Sequence, residues 1–482
     1  MSPPSIPGFY WDAEKGRYFK IESRATAPLD APWSSDKVKK RQSDDKAATA
    51  KATRAAMNMN RITPSRVLNE PQMGGFLARE QGKHGRDHAT ANFAQGLDLT
   101  GVVPFCPTYP SRTNPTGMCV TDKKNSLGVY NLFTTLGNDT PIWNTAITRE
   151  YDTGRVGFLP APGVMDQFSY TESHPEETIP QVSDIKYDKQ RNLVLVTSRR
   201  PSSATQGVLS TFTPRDVNTV VHRAPPSGLQ NHKDRLSMGY EANTVCVTPS
   251  SFHHVCLVGT SVGLAAPTPR GDLKLITPNR YTGFETFVDD AFRDIFSMDF
   301  HVENPRVMFF GGRYGDLVTA DFRHPNKEWQ ALPMVTSIAH VKSVGEHHTL
   351  VAGIENTLSV FDMRYCTGRT IGNDVAFRRA PTPVVRMAEY KNSARFDVGL
   401  DYDRGSGVVA AAHNDGTVAL YSVRSGNRLQ SRDIDNIHSE YGQIHHLQFQ
   451  TFEGDATPHL FVGMADMVHV YSFDKDDTES LD

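Results

Sequence analysis

The chain has 482 residues, 38% hydrophobic and 22% charged, with 36 Gly, 30 Pro and a formal net charge of -3; this suits a soluble chain with many turns and a sizeable core. No run of 18 uncharged apolar residues occurs, and Met1-Ser2-Pro3-Pro4-Ser5 lacks the basic and apolar runs of a signal peptide. The sequence therefore predicts no membrane association and an intracellular place, nuclear and/or cytoplasmic.

Charge is unevenly spread. Residues 1–90 hold 16 Lys+Arg against 10 Asp+Glu, and the remainder holds 35 against 44, so a basic N-terminal extension over 1–90 precedes a chemically different body. Within it, Phe9 to Ile21 reads as two aromatic strands around Asp12-Ala13-Glu14-Lys15-Gly16, where Asp starts a turn and Gly closes it with positive φ. An isolated hairpin is marginal, so its aromatics must dock on something, the surface of the body being the expected place. Residues 34–61 are rich in Ala, Lys, Arg and Met and free of Pro, which allows a helix with a thin apolar stripe.

From about Gly101 the chain becomes short apolar runs separated by Gly, Asn, Asp and Pro, the texture of antiparallel strands. One unit recurs: a strand, a tight polar turn, and a second, alternating strand. Its clearest copy is Gly407 to Tyr421 around His413-Asn414-Asp415-Gly416, where Asp-Gly supplies the hairpin turn. Val307 to Arg323, Thr349 to Arg364, His459 to Phe473, Val255 to Pro269 and Val194 to Pro214 repeat it, and Leu127 to Ile147 is the least regular copy. One four-stranded blade cannot bury both its faces, whereas a closed ring of blades can. The expected fold is all-β: a WD-repeat β-propeller of seven blades over 91–474, with an irregular or helical basic extension before it and an acidic tail over 475–482.

Several motifs invite chemistry and are read more simply. Gly259-Thr260-Ser261-Val262-Gly263 has the spacing of a nucleophile elbow, but two prolines follow where a helix must start. Gly311-Gly312-Arg313-Tyr314-Gly315-Asp316 leads into a strand, not a helix N-terminus, and so reads as a turn. The pairs His253-His254, His347-His348 and His445-His446 place neighbours on opposite faces of a strand or in turns, a poor arrangement for one metal ion. The cysteines Cys106, Cys119, Cys246, Cys256 and Cys366 are odd in number with no Cys-x-x-Cys and read as reduced core residues, leaving the sequon Asn138-Asp139-Thr140 unused. Lys37-Val38-Lys39-Lys40-Arg41 is either an import signal or a solvated helix face, and without interleaved aromatics direct nucleic-acid binding is not expected. Neither a catalytic residue nor a cofactor or metal is expected.

Two strand endings stand apart. Ala320-Asp321-Phe322-Arg323 and Phe361-Asp362-Met363-Arg364 are 41 residues apart, which puts them at the same place on consecutive blades: the end of the third strand, at the rim of one face. Two guanidinium groups, each oriented by a nearby Asp, would then stand on one surface and offer bidentate bonds to a partner carboxylate or carbonyl.

Trp-Asp-x-Arg on consecutive blades resembles the WD-repeat substrate receptors that dock on the damaged-DNA-binding adaptor of cullin-4 RING ubiquitin ligases. Here Phe361 and Ala320 stand in the aromatic position, and a third ending, Tyr421-Ser422-Val423-Arg424, keeps Arg without Asp. The opening Ile6-Pro7-Gly8-Phe9-Tyr10-Trp11-Asp12-Ala13-Glu14-Lys15-Gly16-Arg17-Tyr18-Phe19-Lys20-Ile21 resembles that of the DDB1- and cullin-4-associated factor 4 family. The resemblance implies a non-catalytic receptor whose partners are the ligase adaptor, through Asp321, Arg323, Asp362 and Arg364, and a substrate it does not name. Its family motif would be Pro7, Gly8, Phe9, Tyr10, Asp12, Arg17, Tyr18 and Phe19. The alternative is a WD-repeat scaffold in a chromatin or RNA-processing assembly, using the basic front segment for charged partners.

Overall fold

The period-two alternation of the repeats becomes a set of small antiparallel sheets in a computed structural model of the chain. It describes residues 9–12, 15–22, 33–36, 38–40, 43, 88–104, 113–124, 130–136, 142–149, 156–157, 171–172, 181–199, 207–212, 214, 236–238, 240–268, 273–277, 290–366, 368–371, 380–453, 455, 457–465 and 467–472. Two compact units result, residues 1–65 and 66–482.

In the first unit, Phe9–Asp12 and Arg17–Lys20 form the hairpin, with Tyr10 opposite Phe19 and Trp11 opposite Tyr18. The Asp12 carboxylate accepts the Lys15 amide at 3.3 Å, and Gly16 takes φ +60°, a conformation that costs a residue with a β-carbon about 1 kcal/mol. Trp33 stacks on Phe19 with ring centroids 4.2 Å apart, and Lys15 lies over both rings. The ribbon thus finds an aromatic floor within its own unit. Residues 35, 36, 38–40 and 43 are helical, with Val38 buried; residues 44–61 of the expected helix lie outside the described residues, as do Lys37 and Arg41 of the basic run.

The second unit is a seven-bladed β-propeller. Blade 1 comprises Gly117–Val120, Tyr130–Thr135 and Trp143–Arg149, the last paired along its length with both Val156–Gly157 and Thr171–Glu172; blade 2, Val182–Asp188, Leu193–Ser198, Gly207–Phe212 and Leu236–Met238; blade 3, Ala242–Val247, Cys256–Thr260, Leu264–Pro267 and Leu273–Leu275. Blade 4 comprises Ile295–Phe300, Val307–Gly312, Asp316–Asp321 and Gln330–Pro333; blade 5, Ile338–Ser343, His348–Gly353, Leu358–Asp362 and Val385–Arg386; blade 6, Leu400–Asp403, Val408–Ala412, Val418–Ser422 and Arg428–Leu429. Blade 7 closes the ring: Leu447–Gln450, His459–Met464 and Met467–Ser472 take Asp98–Pro104 as their outer strand, with Asp98 opposite Ser472. Joining both ends of the domain in one sheet leaves no open edge between first and last blades.

The core lies between the sheets. Phe309 and Leu317 of blade 4 pack with Val341, Val351 and Phe361 of blade 5, while Met308, Phe310 and Val318 face blade 3 among Leu257 and Leu264. Each strand thus feeds two interfaces by alternation, and each fully buried large side chain stabilises by about 1.5–3 kcal/mol. The innermost strands face a central channel of about 650 Å³ and carry polar residues that clasp the next blade. Asp299 accepts the Ser343 amide at 2.7 Å, Asp401 accepts the Phe449 amide at 2.8 Å, and Gln448 bonds both the amide and the carbonyl of Val120. The Lys342 ammonium meets Asp401 at 2.9 Å.

An unexpected helix, His88–Gln95, crosses the position where the sequence placed the end of the extension. Phe93 and Ala94, with Leu97 just beyond it, are buried among Val408 and Leu420 of blade 6 and Leu447 and Leu460 of blade 7, and the Thr90 hydroxyl donates to the Ser406 carbonyl at 3.2 Å.

Candidate protein-docking face

In blades 4 to 6 the antiparallel alternation puts the loops that join first to second strands and the ends of the third strands on one face of the ring. Asp321 and Asp362 each end a third strand, so both emerge on that face, one blade apart. The offset of 41 residues extends to the neighbouring strand, Val307–Gly312 mapping onto His348–Gly353.

The two endings share one internal geometry. Asp321 accepts the Arg323 amide at 3.0 Å, Arg323 Nε at 2.9 Å and Arg323 Nη2 at 2.5 Å. Asp362 accepts the Arg364 amide at 3.1 Å, Nε at 3.0 Å and Nη2 at 2.6 Å. Each carboxylate therefore closes a tight backbone turn and grips one edge of its own guanidinium. The bidentate bond to Arg364 holds the Asp362 carboxyl down at about 2, and Arg323 likewise lowers that of Asp321. Two of five guanidinium N–H groups are used in each fork, and the rest point away from the carboxylate. The arginine side chains are 50% and 52% exposed, so a partner can reach them.

Blade 6 shows what the missing carboxylate costs. Ser422 Oγ accepts the Arg424 amide at 3.2 Å, which keeps the turn, but a hydroxyl offers no second oxygen to clamp a guanidinium.

Ala320 and Phe361 fill equivalent positions differently. Phe361 packs between blades 4 and 5, whereas Ala320 shares its core with Trp329. The Trp329 indole N–H donates to the Asp321 carbonyl at 3.0 Å, and its ring meets Phe322 edge-on with centroids 5.4 Å apart. Sequence reasoning missed Trp329 because it comes eight residues after the strand end, on the next loop.

It also missed a strap. After Arg364 the chain turns back to blade 4, where Arg369–Thr370 pairs with Gln330–Ala331 as a fifth strand. The Ile371 amide donates to the Trp329 carbonyl at 3.0 Å, and the Cys366 thiol to the Asp362 carbonyl at 3.2 Å. The strap thus connects both endings through Trp329.

The other candidates fall into structural places. Ser261 lies in a blade 3 hairpin turn, its Oγ accepting the Glu241 amide at 3.2 Å, with strand Leu264–Pro267 following. Arg313, Tyr314 and Gly315 form the blade 4 turn. His445 and His446 point apart, donating to the Asp397 carbonyl at 2.8 Å and the Thr116 carbonyl at 2.7 Å. Cys119, Cys246, Cys256 and Cys366 are free thiols; Cys106 and the sequon lie outside the described residues. Of the aromatic N-terminal motif, Phe9, Tyr10, Asp12, Arg17, Tyr18 and Phe19 form the hairpin, while Pro7 and Gly8 lie outside the described residues. Among the described residues no helix is long and apolar enough to cross a membrane.

No protein-family model and no curated protein matches the chain. Among solved structures the chain is similar to the WD40 β-propeller domain of Doa1, at 10% identity and a TM-score of 0.45, over 79% of this chain and 98% of that one.

Proposed function

We propose that the chain is a non-catalytic interaction scaffold that docks through this face on the adaptor of a cullin-4 RING ubiquitin ligase, and that it serves there as a substrate receptor of the DDB1- and cullin-4-associated factor 4 type. The observation that carries the reading is the twin unit: two Asp-clamped arginines of matching geometry on adjacent blades. Preset guanidinium forks suit acceptors held at fixed spacing on a folded protein, which is how docking differs from capture of a mobile ligand. The aromatic hairpin supports the same reading through its resemblance to the family's opening. Most of the basic front segment, on which a nucleic-acid assembly role rests, lies outside the described residues.

The test is co-purification of the tagged chain with the ligase adaptor, wild type beside Arg323→Glu plus Arg364→Glu. Loss of the adaptor from the double variant, with the protein still folded, is the expected result. Adaptor recovery equal to wild type refutes the reading.

A further inference from the structure

We infer that Tyr365 is a third contact of the docking face, an aromatic anchor that enters an apolar slot on the partner beside the acceptor met by Arg364. The inference rests on the docking reading and names a contact residue that neither the Asp-x-Arg pattern nor the aromatic hairpin contains.

Tyr365 is 81% exposed, the most exposed large apolar side chain among the described residues. Exposed aromatics are ordinary on mobile loops, but this one sits on a fixed platform. It ends the one-turn 3₁₀ helix Met363–Tyr365, whose first turn is capped by Asp362 accepting the Arg364 amide. The next residue, Cys366, bonds back to the Asp362 carbonyl. Four residues further, Thr370 pairs with Gln330, and Ile371 is buried at 6% exposure with its amide on Trp329. The backbone is therefore held on both sides of an outward-facing ring.

The ring also belongs to the site electrostatically. The Arg364 guanidinium lies 5.5 Å from its centroid, so one cation is held by a carboxylate along one edge and an aromatic face nearby. Arg and Tyr with few rotamers left to lose are the residue types that dominate interface energetics, and they do so where the partner excludes water around them. The exposed phenol ring costs nothing to desolvate on its apolar faces and gains from burial. The partner chemistry follows: acceptor oxygens for the two forks, beside an apolar recess about one ring wide.

The experiment measures binding of the purified ligase adaptor to the full chain by calorimetry, for wild type, Tyr365→Ala, Tyr365→Phe and the double arginine-to-glutamate variant. Tyr365→Ala is expected to weaken binding about tenfold or more, Tyr365→Phe to stay within about threefold, and both to melt with wild type because the side chain supports no core. If wild type binds and the double arginine variant does not, yet Tyr365→Ala binds as wild type, the anchor is refuted and the docking reading stands. If wild type fails to bind the adaptor, the docking reading is refuted and the anchor with it.

Discussion

Trp329 is the residue from which the blade 4 ending and the strap both hang, so its removal should be felt in stability first. At 2% exposure it fills a pocket with Phe292, Phe310 and Phe322, with ring centroids 5.4 to 6.2 Å away. Trp329→Ala deletes a buried indole and leaves a cavity, a change that costs about 3–5 kcal/mol. It also removes one of the two hydrogen bonds at the Asp321 carbonyl, which keeps the His324 amide at 3.0 Å, adding about 0.5–1 kcal/mol. The sum is a large share of the roughly 5–15 kcal/mol that holds a folded domain together. Trp329→Phe keeps most of the ring and loses the hydrogen bond, so its cost should be about 1–2 kcal/mol. Urea unfolding measures both, and hydrogen exchange localises the Phe variant's effect: the Arg323 and Ile371 amides should exchange faster while blades 1 and 2 stay at wild-type rates. A Trp329→Ala midpoint within error of wild type would refute the packing argument. An unchanged Ile371 amide in the Phe variant would refute the coupling of strap to strand.

Three more outcomes follow from the geometry. Burial lowers the channel imidazoles His340 and His446 from 6.5 to about 4; the unfolded chain then binds more protons than the folded one between pH 6.5 and 4, so stability falls as pH drops through that window and levels below it. Each contributes at most about 3 kcal/mol, less where channel water screens the site. Urea midpoints from pH 7.5 to 4.5 should show the decline, and His340→Gln plus His446→Gln should make it shallower, the buried His413, also lowered to about 4, sustaining part of the remainder; a flat wild-type profile speaks against buried neutral histidines. A β-carbon on Gly312 would sit 1.8 Å from the Asp294 carbonyl oxygen, whereas one on Gly345 would come no nearer than 3.9 Å to any atom. Gly312→Ala should therefore lose soluble expression or several kcal/mol while Gly345→Ala melts as wild type, and equal melts would contradict the close approach. Arg323→Lys plus Arg364→Lys preserves charge and removes the fork, so adaptor affinity should fall by roughly the same factor as with alanine; retained affinity would mean that charge alone is recognised.

The parts of this fold that the sequence exposes are those where alternation and turn chemistry agree. The blade 6 hairpin is legible because Val408–Ala412 and Val418–Ser422 flank Asp415-Gly416, with Gly416 at φ +79° and Asp415 accepting the Thr417 amide at 3.2 Å. Blade 1 is faint because its strands bury Asn131, Thr134, Asn144 and Thr145, which lowers the apolar contrast. The innermost strands escape for a related reason: facing the channel, they carry Asp184, Lys186, Asp299, Lys342 and Asp401, and read as loops. The outer strands are too short to announce themselves, Val385–Arg386 and Arg428–Leu429 having two residues each. At the candidate docking face, the endings are legible because their geometry is local, each Asp bonding a residue two positions on. The strap is not, since it exists only through pairing of Arg369–Thr370 with a strand about 40 residues earlier.

What makes the twin ending a candidate dock is the origin of its spacing. Loops rarely hold two side chains at a fixed separation, because each has its own rotamers to lose. Here the separation is set by core packing: Phe361, next to last in its strand, is wedged among Phe309, Leu317 and Leu332 of the preceding blade. A shift of one ending relative to the other would have to open that interface. Each guanidinium has in turn surrendered most of its freedom to its own aspartate, so little further ordering is required when a partner arrives. Charge, fork and distance are thus fixed before binding, the first two by the aspartates and the third by a phenylalanine core. Ala320, the departure that most weakens the sequence pattern, does not break this arrangement, since the strand end it borders is held from the other side by the Trp329 indole.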